Sequence, residues 1–576
     1  MRHTDLLALG GALLALACNS VPDHDPPPIA GGTLHVTEDG HFAIASDPDR
    51  ASIHVLDLST GEERSVVSLG SEDEPGRIAE DAAGRVHVVL RRAGEVLTLD
   101  PGNGRVLDRR AVCRAPRGID VDRAHDQLVV ACAEGLLVRM PVSGSATREV
   151  ITLEPDLRDV IVREDGTLLV SLFRKAEVLV VRDGSVAQRI RPPSVETTGF
   201  TTRSWVPTVA WRMRPHPAGA MLVHQHSVIS QLGTLGVPSG VYYGGDCDTG
   251  VVRSVVSIID VESGSVRSIP IMGASLVVDG AYRDGDIYLA AAAEPGNATA
   301  LFGTVGMSGL RRVHEDTAST TPTCVPVEQV GENASVIGVA TTRDGRVLAQ
   351  YREPGAVVID EPGAVVIDER GRHSIALAGG SALHHGHALF HEAAGTGATC
   401  ASCHPEGGDD GHVWRFDIGQ RRTQTLRGGI LETAPFHWKG DVADGTSVME
   451  GTFVGRMGGQ RPLDFEIAAF EQWVDALPAL PGPTVDEGAV QRGRAVFESA
   501  GCGDCHSGPR LTNNAIVDVG TGGPFNVPAL SELVYRAPYL HDGRAATLEA
   551  AVRSHGDVPS LSEVQTRDLV AYLGSL

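Results

Sequence analysis

The motif Cys-x-x-Cys-His occurs twice in the last third of this 576-residue chain. In such a motif, the two cysteines can form thioethers with the vinyl groups of a haem, and the adjacent histidine supplies an axial nitrogen to the iron. A zinc site would need paired ligands at matched spacing, and a redox dithiol would sit in a βαβ context. We therefore predict two covalently attached haem c groups, held by Cys400, Cys403, His404, Cys502, Cys505 and His506.

The charge balance of the chain bears on its partners. It carries 49 Lys and Arg against 73 Asp and Glu, a formal net charge of −24. Because no basic stripe is available for phosphates, we expect no nucleic-acid partner. The acidity favours a basic protein partner, or serves solubility alone.

The first residues are typical of an export signal. Arg2 precedes an apolar run at 6–17, which is too short to span a bilayer, and we predict residues 1–17 to be a removable signal peptide. Cys18 follows a small residue, as at a lipidation site, although Asp5 departs from that pattern and ordinary secretion is the alternative. Residues 18–31 are then a lipidated tether. This predicts a periplasmic or cell-envelope protein, anchored to the outer membrane through Cys18.

Four further cysteines remain: Cys113, Cys132, Cys247 and Cys324. An exported chain permits disulfides, and four cysteines allow three pairings. We predict the pairs Cys113–Cys132 and Cys247–Cys324.

Residues 32–379 repeat a unit of short β-runs separated by turns. The first strands of the units align at Leu34, Ile78, Ile119, Val160, Val209, Val277 and Ile337. Most steps are about 40–50 residues, the period of a propeller blade. Asp-Gly turns between apolar runs fit β-hairpins. We predict an all-β propeller of about seven blades, with six or eight as alternatives, that resembles propellers of the YVTN/NHL type.

After residue 380 the alternating pattern gives way to helical stretches and loops. Two halves resemble each other: residues 384–390 and 491–497 precede the two Cys-x-x-Cys-His motifs, and 434–440 and 537–543 follow them. A duplicated unit explains both halves. We predict two mostly α-helical c-type cytochrome domains, at 380–480 and 481–576.

Three segments of the second half carry a family resemblance. They are Phe525-Asn-Val-Pro-Ala-Leu530, Arg536-Ala-Pro-Tyr-Leu-His-Asp-Gly543 and Thr547-Leu-Glu-Ala-Ala-Val552. With the haem motifs, they resemble the bacterial di-haem cytochrome c peroxidase/MauG family over roughly residues 380–576. The resemblance implies a peroxide-reactive N-terminal haem and a six-coordinate C-terminal haem that relays electrons.

The implied activity is an oxidoreductase that uses hydrogen peroxide to oxidise a redox partner, such as a small cytochrome, or a protein substrate docked on the propeller. The alternative is a non-catalytic electron carrier or redox sensor in which both irons are six-coordinate. An open iron site distinguishes the two.

The same resemblance assigns ligands residue by residue. His404 and His506 are the proximal ligands, and His555 stands where family peroxidases have a distal Met, which implies His506/His555 coordination. Bis-histidine ligation would lower the potential relative to His/Met ligation. In the alternative interpretation, His555 is a solvated residue at a helix end.

The distal side of the N-terminal haem departs from the family. Arg456 or Met457 stands in place of its glutamate. Met457 ligation would make a closed electron-transfer centre; otherwise peroxide could enter, with Arg456 or His437 assisting. His412 is a further candidate ligand. Trp438 matches the family's inter-haem tryptophan and either carries an electron or only packs.

Two other segments are candidate metal sites. His384, His385, His387 and His391 could bind a metal on one helical face, but a helix start near the haem edge is the favoured interpretation. Calcium between the two domains is common in the family. The stretch Arg421-Arg422-Thr423 stands where a calcium-binding Asn is expected, so calcium stays an open alternative.

Overall fold

The computed structural model describes residues 24–144, 148–198, 202–232, 250–295, 308–353, 363–368, 371–395, 397–556 and 558–576. Within these ranges, seven β-sheets form a propeller and the remainder forms two smaller units. The predicted signal peptide, Cys18 and Cys247 lie outside the described residues. Among the helices described, none has the length and apolarity that crossing a membrane requires.

The first four blades each contain four consecutive antiparallel strands. Their strands are β1 (Leu34–Val36), β2 (Phe42–Asp47), β3 (Ser52–Asp57) and β4 (Glu62–Ser68); β5 (Pro75–Glu80), β6 (Val86–Leu90), β7 (Glu95–Asp100) and β8 (Arg105–Ala111); β9 (Pro116–Asp122), β10 (Gln127–Cys132), β11 (Leu136–Pro141) and β12 (Glu149–Thr152); and β13 (Leu157–Val162), β14 (Leu168–Leu172), β15 (Glu177–Arg182) and β16 (Ser185–Ile190).

The last three blades include two short strands from a later loop. Blade 5 contains β17 (Val195–Thr198), β18 (Thr202–His216), β19 (Gly219–Val228), β20 (Val252–Asp260), β21 (Val266–Met272) and β25 (Val325–Pro326); blade 6 contains β22 (Val277–Arg283), β23 (Asp286–Ala291), β24 (Gly309–His314) and β26 (Glu328–Gln329); and blade 7 contains β27 (Val336–Thr341), β28 (Val347–Tyr351), β29 (Gly363–Asp368) and β30 (Gly371–Ala376).

The position of a strand within its blade follows from its apolar pattern. Strands β1, β5, β9, β13, β18, β22 and β27 contact one another in a central ring. Inner strands such as β5 and β6 are buried on both faces, whereas β4 alternates exposed and half-buried residues because it lies at the rim. All seven predicted first-strand residues lie in these central strands, so the blade period is confirmed.

Side chains join the last blade to the first. Gln350 donates from Nε2 to the carbonyl of Ser46 at 2.9 Å and accepts from the Thr33 hydroxyl at 2.7 Å. Arg346 donates to the carbonyl of Leu58 at 3.0 Å. The ring is therefore held here by hydrogen bonds across the blade boundary.

The disulfide prediction is confirmed in one case. Cys113 and Cys132 are bonded, at the edge of blade 3. Cys324 is disulfide-bonded as well, and Cys247 lies outside the described residues, so the Cys247–Cys324 pairing stays a prediction.

The region after the propeller is less helical than predicted. Its α-helices among the described residues are α1 (His385–His391), α2 (Cys400–Cys403), α3 (Gly445–Val448), α4 (Asp464–Ala476), α5 (Glu487–Ser499), α6 (Leu548–Arg553) and α7 (Glu563–Gly574), with two hairpins, β31 (Val413–Phe416) with β32 (Gly419–Arg422) and β33 (Ile516–Val517) with β34 (Phe525–Asn526). The expectation of mostly α-helical domains is thus not confirmed. Long loops at 404–444 and 505–547 pack on the propeller and on each other instead of forming helices.

The predicted duplication is visible in equivalent contacts. Helix α1 packs on α4, as α5 packs on α7. Both pairs cross at a glycine, because a Cβ on Gly386 would lie 2.3 Å from the carbonyl oxygen of Ala469, and one on Gly493 would lie 1.9 Å from that of Asp568. Each half also has an isolated antiparallel bridge in the long loop after its haem motif. One bridge joins residues 436 and 442, and the other joins residues 539 and 545.

Part of the predicted tether is built into the fold. Pro26 accepts a hydrogen bond of 2.8 Å from the Trp473 indole, and the backbone N–H of Ile29 donates to His391 at 3.3 Å. Arg158, from the propeller, donates to the carbonyl of Ala30 at 2.8 Å. Residues 26–31, within the predicted tether 18–31, therefore lie between the propeller and the first cytochrome-like unit.

Candidate cofactor sites and active site

The first Cys-x-x-Cys-His motif lies on the wall of a cavity of about 400 Å³. The Thr399 hydroxyl caps helix α2 in a reciprocal capping box with Ser402, which fixes the short helix that carries the two cysteines. Neither Cys400 nor Cys403 is disulfide-bonded. Burial raises the pKa of the Cys400 thiol to about 12 and raises that of Cys403 as well. The raised pKa values disfavour the thiolates that a zinc site would require.

The loop after α2 fixes the orientation of His404. Its Nδ1 donates to the carbonyl of Gly408 at 3.2 Å, so Nε2 is the nitrogen that would bind a metal. Burial lowers the pKa of His404, so the imidazole is neutral at pH 7, as an axial ligand must be.

The predicted distal residues line the same cavity. His437, Trp438, Arg456 and Met457 all contribute to its wall. The guanidinium of Arg456 lies over the Phe416 ring, 5.9 Å from its centroid. The structure therefore brings together four of the five residues that the sequence proposed around the first haem, and His412 is the exception.

His437 has the environment of an acid–base group. Its Nδ1 lies 3.4 Å from a carboxylate oxygen of Asp441, which also lines the cavity. Burial lowers the pKa of His437; Asp441 opposes this effect and Arg456 adds to it. Since the net shift is downward, His437 is neutral at pH 7 and can accept a proton.

A carboxylate that the sequence analysis missed also lines the cavity. Glu471, on α4, reaches the wall beside Gly445, where a Cβ on that glycine would lie 2.1 Å from the Glu471 carboxylate. Glu471 lies outside the segment 453–459, in which the family's distal glutamate was sought. The sequence could have indicated Glu471 through its spacing from Phe470 and Val474, which places all three on the cavity side of α4.

His412 does not serve the cavity as predicted. Its Nε2 donates to the carbonyl of Val228 in the propeller at 3.1 Å, and its ring packs on the Trp414 ring with centroids 4.5 Å apart. The nitrogen that would bind iron is therefore committed to the propeller contact. The predicted helix start at 384–391 is present, with His387 and His391 buried against Trp473.

The second motif brings the other predicted ligand pair together. His506 donates from Nδ1 to the carbonyl of Leu511 at 3.0 Å, and His555 donates from Nδ1 to the carbonyl of Ala551 at 3.2 Å. Burial lowers the pKa of His506, and the nearby His555 lowers it further. Both histidines thus have their Nδ1 bonded to a backbone carbonyl, and they lie close enough for His555 to affect the pKa of His506.

Hydrogen bonds connect the two halves between these sites. The Trp438 indole donates to the carbonyl of Arg422 at 2.8 Å, and the N–H of Arg422 donates to the carbonyl of His541 at 2.7 Å. The Trp438 and His541 rings have centroids 6.2 Å apart, and His541 stacks on Phe525 at 3.9 Å. Trp438 therefore lies on a short path of aromatic groups from one half to the other.

The residues between the halves do not fit calcium. The Arg422 guanidinium is buried there and pairs with Asp409 at 3.0 Å. Arg174 and Arg536 also lie close enough to lower the pKa of Asp409. Calcium requires six to eight oxygen ligands, and a positive cluster occupies this region instead.

The propeller supplies a wall near the first site, which the sequence did not reveal. Trp205 and Val251 of the blade 5 region form a buried apolar cluster with Trp414 and Cys403. Leu232 pairs with Phe416 in a parallel β-bridge, in which the Leu232 N–H donates to the carbonyl of Arg415 at 2.7 Å. The haem motif is therefore enclosed partly by the propeller.

Comparisons with known proteins agree with this geometry. No protein-family model matches the chain. Part of the chain is 31% identical to the methylamine utilization protein MauG of Methylorubrum extorquens, over 20% of this chain and 41% of that protein. Part is 26% identical to the cytochrome c551 peroxidase of Nitrosomonas europaea, over 19% of this chain and 38% of that protein. The chain has a MauG-like region beside its propeller.

The MauG-like match covers about two fifths of the curated relatives' length. Solved structures that align include Kuenenia stuttgartiensis hydrazine synthase, at 14% identity and a TM-score of 0.42 over 62% of this chain and 98% of that one. Another is dihydro-haem d1 dehydrogenase NirN, at 15% identity and a TM-score of 0.37 over 63% and 76% of the two chains. The curated matches imply haem c as the cofactor, and the buried thiols and oriented His404 fit that group.

Proposed function

We propose that this protein is an exported di-haem c oxidoreductase of the peroxidase/MauG type, which uses hydrogen peroxide to oxidise a redox partner. One haem would be attached through Cys400 and Cys403 with His404 as axial ligand. The other would be attached through Cys502 and Cys505, with His506 and His555 on its two faces. In the peroxidase proposal, Met457 packs in the first cavity without serving as a ligand.

The observation that carries the proposal is the difference between the two sites. At the second motif, two histidines have Nδ1 bonded to backbone carbonyls and lie close together. At the first motif, His404, His437 and Arg456 line one cavity of about 400 Å³, in which a haem would lie with polar side chains beside it. Polar side chains beside a haem suit chemistry, and a second axial histidine suits electron transfer.

The side chains of the cavity match the needs of peroxide. When bound, haem would supply the redox chemistry. Neutral His437, oriented through Asp441, can take a proton from one peroxide oxygen, and the fixed charge of Arg456 can stabilise the negative charge that remains. Glu471 offers a second acid–base group on the same wall. The wall contributed by blade 5 limits the access of bulk water.

A second candidate function is also supported by a specific residue. Met457 lines the same cavity, and its thioether on the iron would give a non-catalytic electron-transfer or redox-sensing protein with both irons six-coordinate.

Electron paramagnetic resonance and absorption spectra, with and without hydrogen peroxide, test the choice. The peroxidase proposal expects one high-spin ferric signal that peroxide alters, and the same signal in Met457→Ala. Two low-spin signals unmoved by peroxide, with one converted to high spin in Met457→Ala, would establish the electron carrier instead.

The remaining parts of the proposal concern location and partners. The signal-like residues 1–17 and Cys18 support export and a lipid anchor in the cell envelope. The net charge of −24 supports a redox partner with a basic docking face. The propeller, fixed against the first haem site, would serve as the platform on which a protein substrate docks. We propose no calcium.

A further inference from the structure

Glu406 lies two residues beyond His404, at the point where the haem loop meets the propeller. It is 3% exposed and has a φ of +53°. A residue with a side chain is less stable in this left-handed region than in ordinary backbone. Such a conformation persists only where surrounding contacts hold it.

Two propeller arginines supply those contacts. Arg91, from the end of β6, donates to one Glu406 carboxylate oxygen at 2.6 Å, and Arg158, from β13, donates to the other. Arg427, from the haem-bearing half, donates to the Glu406 carbonyl from Nη2 at 2.6 Å and from Nε at 2.9 Å. Both the side chain and the backbone of Glu406 are therefore pinned.

The loop transmits this restraint to His404. The N–H of Gly407 donates to the His404 carbonyl at 2.9 Å, and that of Gly408 donates to the Pro405 carbonyl at 2.9 Å. The turn so formed presents the Gly408 carbonyl to Nδ1 of His404. A hydrogen bond at Nδ1 orients an axial histidine and makes it a stronger electron donor to the metal.

The geometry points to Glu406 as a positioning residue, through which the propeller sets the axial His404 of the first haem. The inference rests on the proposed function, since it requires a haem at this motif. It adds that the propeller belongs to the haem site itself, and that blades 2 and 4 tune the potential of one haem and not of the other.

Midpoint potentials of both haems in Glu406→Gln and Arg91→Gln test this inference. If the cluster acted only through its charge, removing the anion would raise the potential of the first haem and removing the cation would lower it. If the cluster positions the loop, both substitutions weaken the His404–Gly408 hydrogen bond. His404 then donates less electron density to the iron, and the potential of the first haem rises in both variants.

The expected result is an upward shift of the first haem in both variants, with the second haem unchanged. Glu450→Gln, at an exposed ion pair of the same half, is the matched control and should shift neither haem. A fall or no change in Arg91→Gln would overturn the inference. Arg91 keeps 13% of its side chain exposed, against 2% for Glu406, so this variant carries the test even if Glu406→Gln fails to fold. Wild-type protein without haem on Cys400 and Cys403 would refute the proposed function instead.

Discussion

Asp409 is the acidic centre that joins the propeller to both halves of the MauG-like region. One carboxylate oxygen lies 2.8 Å from Arg174 of the propeller, and the other lies 3.0 Å from Arg422 between the halves. Its side chain is 4% exposed, and those of its partners are 10% and 5% exposed. We therefore expect Asp409→Asn to be among the most destabilising charge-neutralising substitutions in the chain.

The size of the expected loss in stability follows from these distances. At about 3 Å and an effective dielectric constant of about 20, each pair attracts by roughly 5 kcal/mol before desolvation is counted. Removing one partner of a buried pair costs about 3–5 kcal/mol, because the remaining charge stays buried without compensation. We expect that loss in the free energy of unfolding of Asp409→Asn. In a double-mutant cycle with Arg422→Met, the two losses should overlap by about 1–3 kcal/mol.

The pH dependence gives a second check. The neighbouring arginines hold the pKa of Asp409 well below its usual range, against the opposing effect of burial. A depressed folded-state pKa adds stability above the unfolded-state pKa of about 4, and that stability is lost as the pH falls. The difference between wild type and Asp409→Asn should therefore be full at pH 7 and shrink below about pH 4.

Guanidinium denaturation followed by haem absorbance measures these changes in the region that unfolds around the cofactor. Asp464→Asn is the matched control, since its ion pair with Arg461 has side chains 88% and 50% exposed and should not change the transition. An Asp409→Asn loss below about 1 kcal/mol, or additive single losses, would refute the idea of a coupled buried centre.

Three further outcomes are expected. His555→Ala should convert one low-spin ferric signal to high spin, whereas Glu549→Gln, on the preceding helix, should not; a persistent low-spin signal would reject His555 as a ligand. The burial-depressed pKa of His437 predicts that kcat/KM for peroxide falls as the pH drops through a value below 6.5, where His437 becomes protonated. His437→Gln should lower this rate about 10²–10⁴-fold and remove the acid limb, and an unchanged pH profile would exclude His437 as the base. The double variant Cys113→Ser/Cys132→Ser should lose about 3 kcal/mol of stability, from the closure entropy of a loop with a sequence separation of 19. In denaturant titrations, equal stability of oxidised wild type and variant would contradict the estimate.

The propeller and the cofactor motifs were predictable because both are local patterns. A strand period of about 40–50 residues repeats wherever a blade repeats, and the cysteines and histidine of each motif are neighbours in sequence. The pairing of His506 with His555 was inferred from the family pattern, which places His555 after the helix at 548–553, and it stays a prediction.

The contacts between the propeller and the haem loop were not predictable. Glu406 lies 315 residues from Arg91 and 248 from Arg158, and a single charge in the sequence does not identify its partner at such separations. The low helix content had a similar cause. The loops after each motif gain their packing from the propeller and from the other half, and no helical periodicity in their own sequence reports this.

The position of residues 26–31 has a consequence for the order of assembly. The hydrogen bond from Trp473 to Pro26 spans 447 residues, so one of the first parts of the chain to emerge during synthesis finds its partner among the last. The propeller strands, which pair with near neighbours, can form earlier. Residues 26–31 can therefore complete these contacts only after the first cytochrome-like unit has been synthesised.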